Sequence, residues 1–433
     1  MVAGIRNTAL RSRHDRGVLP FDQIAITLLM LSQLRDVRPS QDVAPANRLR
    51  VGIPALVVRP EHNGGGEVAL RELIRGLQYT DPDMELFVFV RSRSMPLFSR
   101  APKTTLIPVR VPGGRLSRAV RFAWENTWLH LAARQLRFDV TLFPFNLVPA
   151  KFPTRTVLLT YDFSSLFYRE YLPHVRLPFS KRILDFERIF SCRRADAIVT
   201  ASRFTAREIV RIAAVPEHHI HVVPLGVRKF EAGAEATVRE VVAQYGVEGK
   251  YILAVASLMP HKNLPRLIAA FAERSDQELR LYQLVLVGKS GGYDDAIHTA
   301  IQRFGLAERV ILTGFVPDAH LPAFYRAADI FVLPSLYEGF GLPVLEAAAC
   351  GTAVAAARSG SLPEIIGDAG LLFDPVDVPG MAAVLARLAQ SEMLRTHLGE
   401  KGRRWAAQFS WGRTAAAVAE VLKETAHGQK SVS

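Results

Sequence analysis

The 433-residue chain is 49% hydrophobic and 22% charged, which excludes a disordered protein because it offers ample apolar surface for burial. No uninterrupted apolar run approaches the roughly 18 residues that span a bilayer. The two cysteines, Cys192 and Cys350, exclude a disulfide framework and an all-cysteine metal site, and they fit a reducing compartment.

The net charge of +13 is distributed unevenly along the chain. Residues 1–228 contain 34 Lys and Arg against 19 Asp and Glu, whereas residues 229–433 contain 20 against 22. A basic N-terminal half attracts nucleic acid, anionic lipid or an anionic substrate, and charge alone leaves all three open.

Residues 1–48 begin with arginines and continue into a mostly apolar stretch, Phe21 to Leu34. A signal peptide starts in the same way, but Asp22, Gln23 and Thr27 interrupt the apolar part and no clean cleavage site follows. We predict a poorly ordered arm with one short amphipathic helix. A misassigned start codon would also account for this segment.

Strand and helix patterns alternate from residue 49 to residue 228, the first predicted domain. The apolar run Val51–Val58 predicts a strand, Gly64-Gly65-Gly66 a turn, and the apolar spacing from Val68 to Leu77 a helix. Further strands are predicted at Leu86–Val90, Thr105–Val109, Val140–Phe143, Thr156–Thr160, Ala197–Thr200 and Ile220–Val223. Leu225–Ala236 breaks the periodicity and is the predicted linker.

A second alternating series covers residues 229–410, and residues 411–428 predict a terminal helix that returns toward the first domain. The predicted strands are Tyr251–Ala256, Leu284–Val287, Val310–Leu312, Ile330–Leu333 and Ala353–Ala355, with helices between them. Strands that alternate with helices of this length predict parallel sheets. The fold class is therefore α/β, with two doubly wound, Rossmann-like domains that face a cleft.

The most informative segment follows the strand Ile330–Leu333 and ends with two glutamates, Glu338 and Glu346. Glycines 339 and 341 allow a close approach to a ligand, and a helix from Leu342 would direct its N–H groups at an anion such as a diphosphate. A tight loop with a capping glutamate is the alternative on these grounds alone.

This segment resembles the retaining GT-B glycosyltransferases of family 4, whose signature is two glutamates separated by seven residues. The resemblance covers about residues 50 to 428 and includes several ordered motifs: Pro334–Pro343, Ser361–Glu364 with Gly367–Ala369, Val255–Leu264, Ala195–Ser202, Val222–Val227 and Phe409–Trp411. Several motifs at family spacing make the resemblance specific. It implies the GT-B architecture and a nucleoside diphosphate sugar as the donor.

The resemblance also implies roles for individual residues. Glu338 would contact hydroxyls of the transferred sugar, and Glu346 would bind the ribose. Lys262 would neutralise the leaving diphosphate, which agrees with the general need for a positioned cation as negative charge builds. The diphosphate would be held by backbone N–H groups, and the implied donor-binding set is Ser257, Lys262, Glu338, Gly339, Phe340, Gly341, Leu342 and Glu346.

The sequence departs from the family pattern at several positions. Ala256 replaces a usual glycine, and His261 and Ser257 occupy positions where arginine is frequent. After the strand Thr156–Thr160 the family usually shows His-Asp, but this chain has Tyr161-Asp162. Tyrosine cannot titrate near neutral pH as histidine does, but it can still donate a hydrogen bond. The resemblance therefore predicts catalytic roles for Tyr161 and Asp162. For Tyr161, packing at the end of the strand is the alternative.

Weaker signals remain. Gly64, Gly65 and Gly66 would lie across the cleft from Glu338, near donor and acceptor, unless they form a turn that needs positive φ. Asp81-Pro82-Asp83 resembles a metal-binding Asp-x-Asp motif but precedes a strand and contains a turn proline, so a turn is predicted. His218, His219 and His221 lead into a strand, where neighbours face opposite ways. We therefore expect no metal and no other cofactor.

These observations predict a retaining, metal-independent hexosyltransferase of cell-envelope or exopolysaccharide assembly. GDP-mannose is the favoured donor and UDP-sugars remain open. The acceptor would be a glycan or a lipid-linked glycan, and the basic half would bind an anionic membrane, which predicts a cytoplasmic protein on the inner face of the membrane. Two alternatives remain: a sugar-nucleotide-binding protein without catalysis, and a nucleic-acid-binding protein, which the absence of aromatic-interleaved basic motifs disfavours.

Overall fold

The computed structural model describes residues 48–428 except residues 60–63, 82, 99–102, 112–116, 145–146, 173–174, 176–178, 229 and 231–234. The predicted N-terminal arm lies outside the described residues apart from Arg48. Part of the predicted linker also lies outside them. Its described part is irregular backbone up to Arg228, and a helix begins at Glu235.

The first domain is built on a parallel sheet of seven strands in the order β3-β2-β1-β4-β5-β6-β7. The strands are β1 Leu49–Pro54, β2 Met84–Arg91, β3 Thr104–Val109, β4 Val140–Pro144, β5 Arg155–Leu159, β6 Ala197–Thr200 and β7 Ile220–Val222. Its helices are α1 Gly65–Thr80, α2 Ser117–Asn126, α3 Trp128–Gln135, α4 Ser164–Tyr171, α5 Phe179–Arg194 and α6 Arg203–Ala213. Short 3₁₀ turns occupy Ser92–Leu97 and Glu217–His219.

The second domain repeats this plan with six parallel strands in the order β10-β9-β8-β11-β12-β13. The strands are β8 Lys250–Val255, β9 Tyr282–Val287, β10 Val310–Gly314, β11 Ile330–Leu333, β12 Ala353–Ala357 and β13 Leu371–Phe373. Its helices are α7 Glu235–Ala243, α8 Leu264–Glu273, α9 Asp294–Arg303, α10 Leu321–Ala327, α11 Leu342–Cys350, α12 Leu362–Ile366, α13 Val378–Gln390 and α14 Glu392–Ala406, with a 3₁₀ turn at Pro260–Lys262. The predicted class of two doubly wound domains is confirmed.

The central strands are uniformly apolar because helices cover both faces of each sheet. All four residues of β11 are buried, and so are the four alanines and one valine of β12. In both sheets the strand order reverses beside the first strand, between β1 and β4 and between β8 and β11. Ligands of open parallel sheets bind at the carboxyl ends of the strands at such a reversal. The loops that follow β8 and β11 meet this condition.

The last helix, α15 Trp411–Ala426, packs on the first domain although it follows the second. Ala415, Val418 and Leu422 are buried in the core around the seven-stranded sheet. Gly76 of α1 permits this packing, because a Cβ atom there would lie 2.7 Å from the Cβ atom of Ala415. The two domains are therefore joined by the linker and by the final helix.

The two domains also meet through the loop that follows β11. A Cβ atom at Gly339 would lie 1.9 Å from the carbonyl oxygen of Tyr161, so only glycine allows this approach of the two backbones. The carbonyl oxygen of Gly339 accepts hydrogen bonds from the hydroxyls of Ser202 (2.6 Å) and Thr205 (3.2 Å) at the start of α6. Hydrogen bonds from the first domain thus hold the loop of the second.

A carboxylate adds a second link between the domains. Glu364 of α12 accepts hydrogen bonds from the backbone N–H groups of Arg203 (3.2 Å) and Phe204 (2.9 Å), the first two residues of α6. The first N–H groups of a helix have no partner within the helix, and a negative charge there also interacts favourably with the helix dipole. Glu364 therefore caps a helix of the opposite domain.

We expect Glu364→Ala to accelerate hydrogen exchange at the amides of Arg203 and Phe204 by about tenfold, since hydrogen bonds to charged groups contribute on the order of 1.5–3 kcal/mol and these amides are partly exposed. Exchange of the peptide that spans the start of α6 measures this effect. The matched control is Glu400→Ala, which removes an exposed glutamate of α14. Equal exchange in both variants would show that the cap contributes nothing.

Candidate active site

The loop between β11 and α11 ends in a helix N-terminus suited to an anion. Gly341, the residue before α11, has φ +96°, and a Cβ atom there would also lie 2.6 Å from Leu362. No side chain caps α11, and Pro343 lies in its first turn, where its missing N–H costs nothing. The backbone of Phe340, Gly341 and Leu342 is thus placed at the positive end of a helix dipole. Its contact with a diphosphate stays a prediction.

Glu338 and Lys262 come together at the reversal between β8 and β11. The Lys262 Nζ lies 2.6 Å from the Glu338 Oε1, and the Ser335 hydroxyl donates to the same oxygen at 2.7 Å. Both charged side chains are mostly buried, with 15% and 12% of their surface exposed. The sequence predicted both residues for the site, and the structure adds Ser335 as the group that holds the carboxylate.

Asn263 explains why the loops after β8 and β11 stay together. Its backbone is left-handed, with φ +59°, and its side-chain amide donates to the carbonyl oxygens of Pro334 (3.1 Å) and Pro375 (2.7 Å). The backbone N–H of Leu336 also donates to the carbonyl of His261 at 2.7 Å. These bonds fix the positions of Lys262 and Glu338 relative to each other.

Glu346 is buried, with 6% of its surface exposed, and both its oxygens have partners. Arg228 donates to Oε1 through Nε (3.0 Å) and Nη2 (2.9 Å), and the Tyr325 hydroxyl donates to Oε2 at 2.8 Å. Arg228 also lies 3.6 Å from Asp318. The sequence analysis did not predict Arg228 or Tyr325 as site residues. Arg228 could be noticed only as a charged residue in the predicted linker, and Tyr325 only as an aromatic residue in an apolar helix.

Asp162 is positioned where the two domains meet. Its Oδ1 accepts a hydrogen bond from the Ser164 N–H at the start of α4 (3.0 Å). Burial alone would raise the pKa of Asp162, but the charge of Arg188 and the bonds from Ser164 together lower it below its usual range, so the carboxylate stays ionised. The structure thus gives Asp162 a helix-capping contact, and its catalytic role stays a prediction.

Tyr161 follows β5, and its ring packs against an apolar cluster shared by both domains, with Phe340, Leu345 and Ile365 from the second. Burial raises the pKa of its phenol, so the hydroxyl keeps its proton throughout the physiological range. The predicted hydrogen bond from Tyr161 to a substrate oxygen stays a prediction, and the packing role is visible in the contacts.

His261, which replaces a frequent family arginine, contacts the first domain. Its Nδ1 is hydrogen-bonded to the hydroxyl of Tyr168 on α4. Burial and the adjacent Lys262 lower the pKa of His261 to about 4, so the ring is neutral at physiological pH. The position therefore supplies a link between the domains rather than an additional positive charge for phosphate.

The three glycines 64–66 start helix α1 and do not form a turn with positive φ, so that alternative is wrong. Gly64 has φ −80° and precedes the helix, and Gly65 and Gly66 are its first residues. Within the described part of the chain, a Cβ atom at Gly64 or Gly65 would meet no atom within 4 Å. In the same first turn, burial raises the pKa of Glu67 to about 7. The open space leaves room for a substrate, whose contact with these glycines stays a prediction.

Ser257 and Gly339 are two further residues that the resemblance assigned to the donor-binding set. Ser257 is exposed just after β8, and its carbonyl accepts the Met259 N–H at 2.8 Å. Gly339 approaches the backbone of Tyr161, and its predicted contact with a ligand stays a prediction. Among the described residues there is no cluster of three or more His, Cys, Asp or Glu side chains that could hold a metal ion.

Comparison with known proteins identifies both halves of the chain. The family model for glycosyl transferases group 1 matches residues 241–405, and the model for Glycosyltransferase Family 4 matches residues 63–229. Each match covers most of one parallel-sheet domain.

Individual relatives agree with these models. O-antigen chain mannosyltransferase B of Escherichia coli is 34% identical over 259 residues, which are 59% of this chain and 67% of the relative. A serotype-specific mannosyltransferase of Escherichia coli is 31% identical over 61% of this chain, which matches 32% of that relative's length. Sucrose-phosphate synthase of Thermosynechococcus elongatus has the same fold, with a TM-score of 0.71, 20% identity and coverage of 88% of this chain and 100% of that chain.

The two doubly wound domains have the GT-B architecture. The family models and the curated relatives identify the chain as a glycosyltransferase. The chain belongs to family 4, group 1, of these enzymes.

Proposed function

We propose that this glycosyltransferase moves a hexose from a nucleoside diphosphate sugar to a hydroxyl of a glycan or lipid-linked acceptor, with retention at the anomeric carbon and without a metal. Mannose is the favoured sugar and GDP-mannose the favoured donor, because both curated relatives named above are mannosyltransferases. The observation that carries the proposal is the Lys262–Glu338 pair at the carboxyl ends of β8 and β11.

The charges at this position suit departure of a nucleoside diphosphate. An ammonium group has three N–H donors, so Lys262 can keep its bond to Glu338 and also donate to a phosphate oxygen. The N-terminus of α11 adds its N–H groups and dipole on the same side. Preorganised positive charge of this kind stabilises the negative charge that develops on a leaving group.

The acceptor reacts on the same face from which the diphosphate departs. In this scheme the leaving phosphate takes the proton of the acceptor hydroxyl, and Glu338 orients the sugar through its hydroxyls. Lys262 and Ser335 fix the carboxylate of Glu338, which prevents it from rotating away when the sugar binds.

A donor panel tests the proposal. We expect GDP-mannose to release nucleoside diphosphate faster than UDP-glucose, UDP-galactose or ADP-glucose, and Lys262→Met to slow release by about a hundredfold or more, because it removes a preorganised charge. Lys151→Met, at an exposed position in the first domain, is the control. Binding of a donor without release in the parent chain would support a non-catalytic sugar-nucleotide-binding protein instead.

A second test addresses the proposed ribose contact of Glu346. Glu346→Ala would leave the buried groups of Arg228 and Tyr325 without an acceptor, so Glu346→Gln is the better variant because it keeps one oxygen. We expect it to weaken GDP binding by about tenfold, near the lower limit for a hydrogen bond to a charged group. Calorimetry measures the affinity, and Tyr325→Phe, which leaves the carboxylate in place, is the control. Unchanged affinity in Glu346→Gln would remove the ribose assignment.

We further propose that the basic first domain binds an anionic membrane surface. Helix α5 supports this, because Ile183 and Phe186 are 53% and 59% exposed and the neighbouring Arg182 is exposed as well. Exposed apolar side chains beside cationic ones suit a surface of anionic lipid. None of the described helices is both long and apolar enough to cross a membrane.

Vesicle co-sedimentation checks this proposal. We expect the full chain to bind phosphatidylglycerol vesicles better than phosphatidylcholine vesicles, and to lose most binding in 1 M salt, where the Debye length is about 3 Å. Phe186→Ser should weaken binding, whereas Met393→Ser, at a residue of α14 that is 83% exposed, should not. Equal binding to both lipids would argue against a role for the basic charge.

A further inference from the structure

An aromatic groove runs between the two domains beside the loop that carries Glu338. It has a volume of about 460 Å³, within the range of roughly 300–1,000 Å³ typical of small-molecule sites. We define the aromatic groove by six of its lining residues: Phe167, Tyr171, Phe204, Glu208, Arg266 and Tyr337. The first domain supplies four of them and the second domain two.

The rings of the aromatic groove form a continuous apolar wall. Phe167 stacks on Tyr171, with ring centres 5.0 Å apart and planes 23° apart, and Phe167 also lies 5.0 Å from the ring of Tyr337. Phe204 meets Tyr337 edge-on at 5.4 Å. The Tyr337 hydroxyl accepts a hydrogen bond from the Phe163 N–H at 2.9 Å, which fixes this ring between the domains. The wall is therefore formed before any ligand arrives.

The polar groups of the aromatic groove indicate a neutral ligand. Its described lining includes one carboxylate, Glu208, and one guanidinium, Arg266, so their charges balance. Arg211 holds Glu208 through hydrogen bonds of 2.9 Å, and Asn263 accepts from Arg266 at 2.9 Å. This balance contrasts with the cationic end of the cleft at Lys262, which suits a diphosphate.

A sugar ring has this combination of properties. One face of a pyranose presents C–H groups, which pack on an aromatic face, and its edge presents hydroxyls that can donate to a carboxylate and accept from a guanidinium. An acyl chain would need no such polar partners. We propose that the aromatic groove binds the glycan chain of the acceptor, at sugars next to the one that reacts. This inference rests on the proposed function.

The groove shares a loop with the candidate active site. Tyr337 directly precedes Glu338, so one loop lines the groove and carries the sugar-orienting carboxylate. Gly360, which also lines the groove, packs on the backbone of Glu338: a Cβ atom at this position would lie 2.6 Å from the Glu338 carbonyl oxygen. A glycan in the groove therefore contacts the loop that orients the donor sugar.

The groove predicts that acceptor affinity rises with chain length and that Tyr171 contributes to the rise. Tyr171 is the last residue of α4 and is 58% exposed, so Tyr171→Ala leaves the core intact. The matched control is Tyr79→Ala, which removes a tyrosine that is 69% exposed in the last turn of α1. The probes are α-linked manno-oligosaccharides of two to six sugars, with GDP-mannose as the donor.

We expect Tyr171→Ala to raise KM roughly two- to tenfold for the longer oligosaccharides, the range for loss of one aromatic contact, and to leave the disaccharide within about twofold. Tyr79→Ala should resemble the parent at every chain length. Equal effects of Tyr171→Ala at every chain length, or no effect, would overturn the groove assignment while leaving the proposed function intact.

Direct binding separates the two proposals further. Saturation-transfer NMR on the parent chain without donor should show contacts from the hexasaccharide that Tyr171→Ala weakens. If octyl mannoside depends on Tyr171 and the hexasaccharide does not, the groove takes an acyl chain and the glycan assignment is wrong. No transfer from any donor would instead contradict the proposed function, and the binding experiment would still decide the groove.

Discussion

The close approach of Gly339 to the backbone of Tyr161 is the constraint on which the rest of the site depends. Because no side chain fits at position 339, the two domains can meet with backbone against backbone. Ser202 and Thr205 then bind the Gly339 carbonyl, and Glu364 binds the start of α6 from the other side. The first domain thereby sets the position of a loop whose chemistry belongs to the second. Separation of the domains would release the backbone next to Glu338.

The buried ion pairs of the cleft contribute little to the folding stability of the protein, and the proposed reaction explains their presence better. Burying both charges of a pair such as Lys262 and Glu338 costs desolvation energy that their attraction offsets only in part, whereas removal of one partner leaves an unpaired charge and is costly. The same balance between desolvation and attraction applies to the ion pair of Glu346 and Arg228. Such pairs provide fixed, mostly buried charges, which suit the proposed stabilisation of the negative charge on a leaving diphosphate.

The charged and aromatic side chains of the cleft lie in two regions, for which we have proposed different ligands. Lys262 and the N-terminus of α11 form a positive end that suits a diphosphate, and the aromatic groove adjoins it with balanced charge. His261 belongs to neither region, because its neutral ring is bonded to Tyr168 and joins the domains. The loop from Ser335 to Gly341 borders both regions, so one segment can position the donor sugar and the acceptor chain together.

The sequence by itself determined the class of fold and predicted the main residues of the candidate site. Apolar runs such as Ile330–Leu333 predicted buried strands correctly, because a strand covered on both faces has no polar positions. The spacing of the two glutamates and the glycines between them predicted the loop that carries Glu338 and the helix that begins at Leu342. The three-residue strand Leu371–Phe373 was missed because so short a run has no distinctive period. Only the tertiary structure decided the partners: Arg228 lies 118 positions from Glu346, and Tyr168 lies 93 from His261. Local patterns carry no information on such contacts, because the packing of two separate domains brings those residues together.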